Sequence, residues 1–197
     1  MPGSTPLLFI AGSAREASLN KRLARSAALI AKASGIPATF ADLGDYPMPI
    51  YGGDLEDRDG PPENAHKLKA LMSAHQGVFI ASPEYNAGIT PLLKNALDWV
   101  SRVRDDDEAP LQVYKTRVFM LAAASPGALG GVRGLIMLRQ VLANGLGALV
   151  LPDQMLLPRA TEAFGEDGAL SNARQREQLV ALVLELARAA KILSGKS

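Results

Sequence analysis

FIAGSAREASLN (Phe9–Asn20) runs from the apolar end of a strand through one glycine and several small polar and basic side chains to the start of a helix. Working outward, short and fully apolar runs recur along the chain with helical patterns between them. That is how strands covered by helices on both faces read in a sequence. The runs predict strands over Leu7–Gly12, Ala38–Leu43, Gly77–Ser82, Arg117–Ala124 and Ala148–Leu156. Between and after them, helices are predicted over Leu19–Ser34, Glu63–Ala74, Pro91–Arg102, Val132–Asn144 and Asn172–Leu193. The first carries Leu23, Ala27 and Ile30 on one face and stops at Gly35-Ile36-Pro37, a strong termination signal. The last spaces Leu179, Leu182, Val183, Leu186, Ala190 and Leu193 amphipathically. Strand and helix alternate five times, which predicts a three-layer α/β domain with right-handed crossovers. Two stretches, Gly44–Pro62 and Arg104–Lys115, fit neither pattern and read as loops, the second with a solvated acidic turn at Asp105–Glu108.

At 197 residues the chain suits one domain, 1–197, that buries about 70% of the surface its unfolded form exposes. Its 21 Lys and Arg against 20 Asp and Glu leave a net charge of +1, too balanced for a nucleic-acid or membrane-surface footprint. With no cysteine, thiolate catalysis and cysteine-ligated clusters are excluded, and redox chemistry would need a bound cofactor. The amino terminus lacks the pattern of a signal peptide, and no apolar run approaches the roughly 18 residues of a membrane span. The default expectation is a cytoplasmic protein.

In open α/β sheets ligands bind beyond the carboxyl ends of the strands. After the first strand, Gly12 permits a sharp turn, Ser13 and Ser18 offer hydroxyls, Asn20 an amide and Arg15 a cation beside the free N–H groups of a helix start. These are donors for a phosphate dianion. Ser18 also reads as a plain N-cap with Arg15 in solvent. No P-loop and no G-x-G-x-x-G pattern is present, so a monophosphate suits the loop better than a pyrophosphate. After the third strand, Ser82–Gly88 offers an aromatic and polar groups to the edge of a heterocycle. After the fourth, Ser125–Gly131 presents mostly backbone, as a flat ligand would require.

GSAREASLN followed by SPEYNAGITPLLKNALDWVSR resembles the NAD(P)H-dependent FMN reductases, a flavodoxin-like group that includes chromate, quinone and azo-dye reductases. The resemblance implies a five-stranded parallel sheet of order 2-1-3-4-5 in a flavodoxin-like three-layer sandwich. It implies FMN as cofactor and NADPH or NADH as co-substrate. Ser13, Arg15, Ser18, Leu19 and Asn20 match the family's phosphate loop; Pro83, Glu84, Tyr85 and Asn86 match its flavin-ring loop. Ser125, Gly127 and Gly130 fall where a third loop approaches the isoalloxazine. Lys94, Asn95, Asp98 and Trp99 match a helical part of the signature and are expected to pack or contact a second subunit, without touching the ligand. Gly44–Pro62 resembles a loop at the subunit interface, so a homodimer or homotetramer is implied.

The implied activity is a ping-pong flavin oxidoreductase: hydride passes from NAD(P)H to FMN, and a small acceptor is then reduced. Flavin, quinone, azo compound, ferric chelate and chromate are all admissible acceptors. No side chain is nominated as catalytic, because hydride transfer needs orientation more than an acid or base. His66 and His75 lie away from the strand-end loops and read as surface or packing residues. The rivals are a flavodoxin-like electron carrier and a phosphate-binding regulator without flavin. Such carriers are typically strongly acidic, whereas this chain has an isoelectric point near 8.0.

Overall fold

The computed structural model describes residues 5–105 and 107–195. Strands β1 (Leu7–Ala11), β2 (Ala38–Asp42), β3 (Gly77–Ala81), β6 (Val118–Ala124) and β7 (Leu149–Leu157) form one sheet of order β2-β1-β3-β6-β7. All four pairings are parallel. This is the flavodoxin-like order 2-1-3-4-5. The three central strands are buried along their whole length, which is why LLFIA, GVFIA and VFMLAAA carry no polar alternation.

Helices α1 (Leu19–Ala33) and α7 (Ala173–Ser194) cover one face, burying Leu23, Ala27, Leu182 and Leu186 against Phe9, Phe79 and Met120. The other face is covered by α3 (Glu63–Ser73), α4 (Pro91–Arg102) and α6 (Val132–Gln140), with Leu68, Leu97 and Leu138 packed against Leu8, Val78 and Phe119. Because β1, β3 and β6 run parallel in register, Ala11, Ala81 and Ala122 lie side by side and the loops after the three strands share one rim.

Several expectations need correction. Gly44–Pro62 is not all loop: it contains α2 (Gly53–Asp59), preceded by a 3-10 turn at Leu43–Asp45. None of the residues of α2 is buried, so it has no apolar face to read. It is held from outside, by Arg102 Nε on Glu56 Oε1 at 2.7 Å and by the Tyr51 ring set edge-on to Trp99. Arg104–Lys115 likewise contains a short helix, α5 (Gln112–Lys115). The acidic turn is more than a solvated one: the buried Lys69 Nζ donates to Asp105 Oδ2 at 3.0 Å and also pairs with Glu108. Asp106, within that turn, lies outside the described residues. The helix expected over Val132–Asn144 ends at Gln140 and continues as a π turn to Gly145. A two-stranded hairpin, β4 (Glu84–Tyr85) and β5 (Gly88–Ile89), was not foreseen at all.

The histidines behave as expected. His66 is exposed, while His75 is buried with Nδ1 2.7 Å from Leu71 O and Nε2 2.9 Å from Thr39 Oγ1. Among the described residues no helix is long and apolar enough to cross a membrane.

Candidate functional site at the strand ends

The first loop leaves β1 at Gly12, whose N–H continues the sheet by donating to Ala81 O at 2.8 Å. A Cβ there would stand 2.7 Å from Ser82 Oγ, so only glycine lets the first and third strand ends lie this close. Thr90, the N-cap of α4, clamps the same point by donating to Gly12 O at 2.7 Å. Ser13 is buried and its Oγ accepts from Arg15 N at 3.3 Å. Ser18 caps α1, its Oγ accepting from Lys21 N at 3.3 Å, with its own N–H on Arg15 O. The main-chain N–H groups of Leu19 and Asn20 have no acceptor among the described residues. They are the free donors that every helix start exposes.

Asn20 does something the sequence did not show. Its Nδ2 donates to Ala124 O at 2.8 Å and its Oδ1 accepts from Ala124 N at 2.9 Å. The amide thus completes a backbone-like pairing between the first loop and the end of β6.

The second loop is the hairpin. Asn86 and Ala87, its two central residues, have φ of 51° and 65°, the left-handed pair of a type I′ turn. Asn tolerates that conformation; Ala adopts it at a cost of about 1 kcal/mol. The Glu84 carboxylate turns away from the loop, accepting from Arg133 Nε at 3.0 Å and from Gly134 N at 3.2 Å at the start of α6. The Arg133 guanidinium holds that carboxyl below the usual carboxylate range. Gly134 is glycine for contact: a Cβ would meet Glu84 Cβ at 2.7 Å. The hairpin therefore rests directly on the α6 backbone.

The third loop is folded on itself. Ser125 Oγ accepts from Gly127 N at 3.1 Å, and Gly127 O accepts from Arg159 N at 3.2 Å. Gly130 and Gly131 have φ of 60° and 86°, and a Cβ on Gly131 would strike Ala123 Cβ at 2.6 Å.

The three loops enclose a cleft of about 200 Å³. Ser13, Arg15, Ser18, Leu19 and Asn20 from the first loop, Pro83, Glu84 and Tyr85 from the second and Ser125 from the third line it. Asn86, Gly127 and Gly130 are not in its lining; they shape the turns beside it. Ala17, Ala124 and Pro126 also line the cleft and were not singled out in the sequence, since none carries a polar side chain to mark it. Lys94, Asn95, Asp98 and Trp99 stay outside, as expected. Asn95 Oδ1 accepts from Tyr51 N at 2.8 Å, Trp99 Nε1 donates to Pro49 O at 2.7 Å, and Lys94 pairs with Asp98 along α4. Asn95 and Trp99 thus fasten the Gly44–Pro62 segment to the helix.

Residues 5–162 match the sequence profile of a family described as NADPH-dependent FMN reductase. A probable NADPH:quinone oxidoreductase 2 of Oryza sativa is 33% identical over 198 residues, covering 99% of this chain and 93% of the relative. A quinone reductase of Escherichia coli K12 is 34% identical over 136 residues, 69% of this chain and 68% of its own. An NAD(P)H-dependent FMN reductase of Pseudomonas aeruginosa is 29% identical, with 95% and 98% covered. Among solved structures, the flavoenzyme NAD(P)H:(acceptor) oxidoreductase FerB of Paracoccus denitrificans shares the fold with a TM-score of 0.76. That pair is 23% identical, over 95% of this chain and 97% of the other.

Proposed function

This chain belongs to the NADPH-dependent FMN reductase family, and on that premise we propose that it oxidises NADPH or NADH at an FMN seated in the strand-end cleft and reduces a small quinone-type acceptor. The observation that carries this reading is the mixed lining of the cleft. The first loop offers two serine hydroxyls and, unpaired among the described residues, the Arg15 guanidinium and helix N–H groups; the second and third loops offer Pro83, Tyr85 and Pro126. FMN needs both, a cradle for a phosphate dianion and a flat apolar seat for a ring. When bound, FMN supplies the redox chemistry, accepting a hydride from the nicotinamide and passing electrons to the acceptor.

The residues of the chain bind and orient. Ser13, Arg15 and Ser18, with the N–H groups of Leu19 and Asn20, hold the phosphate. The main chain of Pro83–Asn86 reads the ring edge while the Glu84 side chain anchors the hairpin from behind. Ser125 supplies the opposing wall, and Gly127 and Gly130 fold the loop that carries it. Tyr85 is 53% exposed at the open side, where a second flat molecule can lie against the ring. A quinone acceptor is chosen because the rice and E. coli relatives are named for quinones. On the same reading, residues 1–197 form one FMN-binding domain that works in the cytoplasm as a homodimer or homotetramer.

Anaerobic mixing of the FMN-loaded protein with NADPH or NADH tests the proposal. The yellow absorbance of oxidised flavin is expected to bleach with at least one donor and to return when benzoquinone is added. Persistence of the yellow form with both donors would overturn it in favour of an electron carrier.

A further inference from the structure

The first turn of α1 breaks the electrostatic rule for a helix start. Ser18 is the N-cap, and three residues on, where a capping box carries Glu or Gln, the chain has Lys21. No acidic side chain lies in that turn, so the lysine charge adds to the positive end of the helix dipole instead of cancelling it. Nor does the lysine escape to water. Its side chain is 7% exposed, with Nζ 2.5 Å from Asp42 Oδ2 and 3.1 Å from Ala14 O. Asp42 is itself fixed, its Oδ1 accepting from Gly44 N at 2.9 Å. The pair with Asp42 offsets the buried charge, yet a lysine at this position still opposes the helix dipole, and such departures from local rules gather at functional sites.

We propose that Lys21 is the positioning residue of the phosphate loop: by holding the Ala14 carbonyl, it turns the loop's N–H groups toward the anion. The proposal rests on the FMN reading above. Ala14 C=O and Arg15 N–H belong to one trans peptide unit, so they point in opposite directions. With the carbonyl drawn to Lys21 on one side, the N–H emerges on the other, where it donates to Ser13 Oγ of the cleft lining. Without the lysine the peptide is free to rotate, and a carbonyl oxygen facing the cleft would repel a phosphate.

A merely structural ion pair would matter equally to any ligand of the cleft. The deciding comparison is therefore between FMN and riboflavin, which differ by the phosphate alone, each titrated by quenching of flavin fluorescence. Lys21→Met is expected to weaken FMN binding about tenfold or more while riboflavin binding stays within about twofold. Lys21→Arg, which keeps a charged donor, is expected to retain most of the FMN affinity. Equal losses for the two flavins, or an unchanged FMN affinity, would overturn the proposal. If Lys21→Met does not fold, Lys21→Met combined with Asp42→Asn carries the same comparison, since it removes the donor to Ala14 without leaving a buried carboxylate unpaired. A wild-type protein that binds neither flavin would instead sink the FMN reading itself.

Discussion

In the first strand-end loop Ser13 and Ser18 line the cleft and Arg15 has no side-chain partner among the described residues, whereas in the second Glu84 is turned back onto Arg133 and Gly134 and the next residues are consumed by a left-handed turn. Both loops end parallel strands of one sheet, and both supply walls to one cleft. Their chemistry is delivered differently. On the proposed reading the first presents side chains and helix N–H groups to a charged ligand, its geometry held by Lys21 and Thr90. The second presents backbone to a flat one, and its side chains do the holding. A ligand with an anionic end and an aromatic end accounts for that division of labour.

Asn20 sits between these modes, so it offers the sharpest break. If it were a ligand-facing donor like its neighbours, replacing it would cost FMN affinity and leave the apo protein intact. Its amide is paired instead with both polar groups of Ala124, which is 2% exposed. Asn20→Ala is therefore expected to destabilise the apo protein by about 2–5 kcal/mol, the cost of two buried backbone groups left unpaired. Urea unfolding without flavin measures this; a loss below about 1 kcal/mol, the value of a single solvated hydrogen bond, would return Asn20 to the ligand-facing set. Arg15 is the opposite case. Arg15→Ala is expected to leave apo stability within about 0.5 kcal/mol and to weaken FMN by about 1.5–3 kcal/mol, with riboflavin unaffected. Equal FMN affinity for the variant and wild type would remove Arg15 from the site.

The same contrast explains what could be read from the chain alone. Ser13, Arg15 and Ser18 were legible because side chains with anion chemistry stand together at the end of an apolar run, a signal that is local. The strand order followed from the family resemblance alone; the apolar runs implied only strands covered on both faces. Lys21 with Asp42, and Glu84 with Arg133, were not legible, because each pair joins residues far apart in sequence whose separate patterns are ordinary. Helix α2 was missed for a related reason: GDLEDRD has no apolar stripe, and contacts from Arg102 and from the Asn95–Trp99 turn of α4 hold it and the chain before it in place. Gly127 and Gly130 stand where the family resemblance puts the third loop beside the ring; at Gly130, with φ of 60°, the missing side chain also lets the loop pack against Leu156–Pro158.

The smallest expected effect tests whether the second loop is held by charge or by shape. The Arg133 guanidinium keeps the Glu84 carboxyl below its usual range, so the clamp contributes fully above the unfolded pKa of about 4.3 and is lost as pH falls through the lower folded value. Arg133 is 53% exposed, and solvent screening limits the ion pair to about 1 kcal/mol or less. Glu84→Gln should therefore be slightly less stable than wild type at neutral pH, and the gap should close as the pH drops below about 4. Thermal melts of both proteins across that range read it. Since the hairpin faces the ring end of the cleft, any accompanying loss of affinity should be the same for FMN and riboflavin, unlike the phosphate-selective loss at Arg15. A stability gap that stayed constant down to about pH 3 would mean that Glu84 acts through its packing on Gly134, where the backbones already meet, and that the charge of Arg133 is incidental to the hairpin.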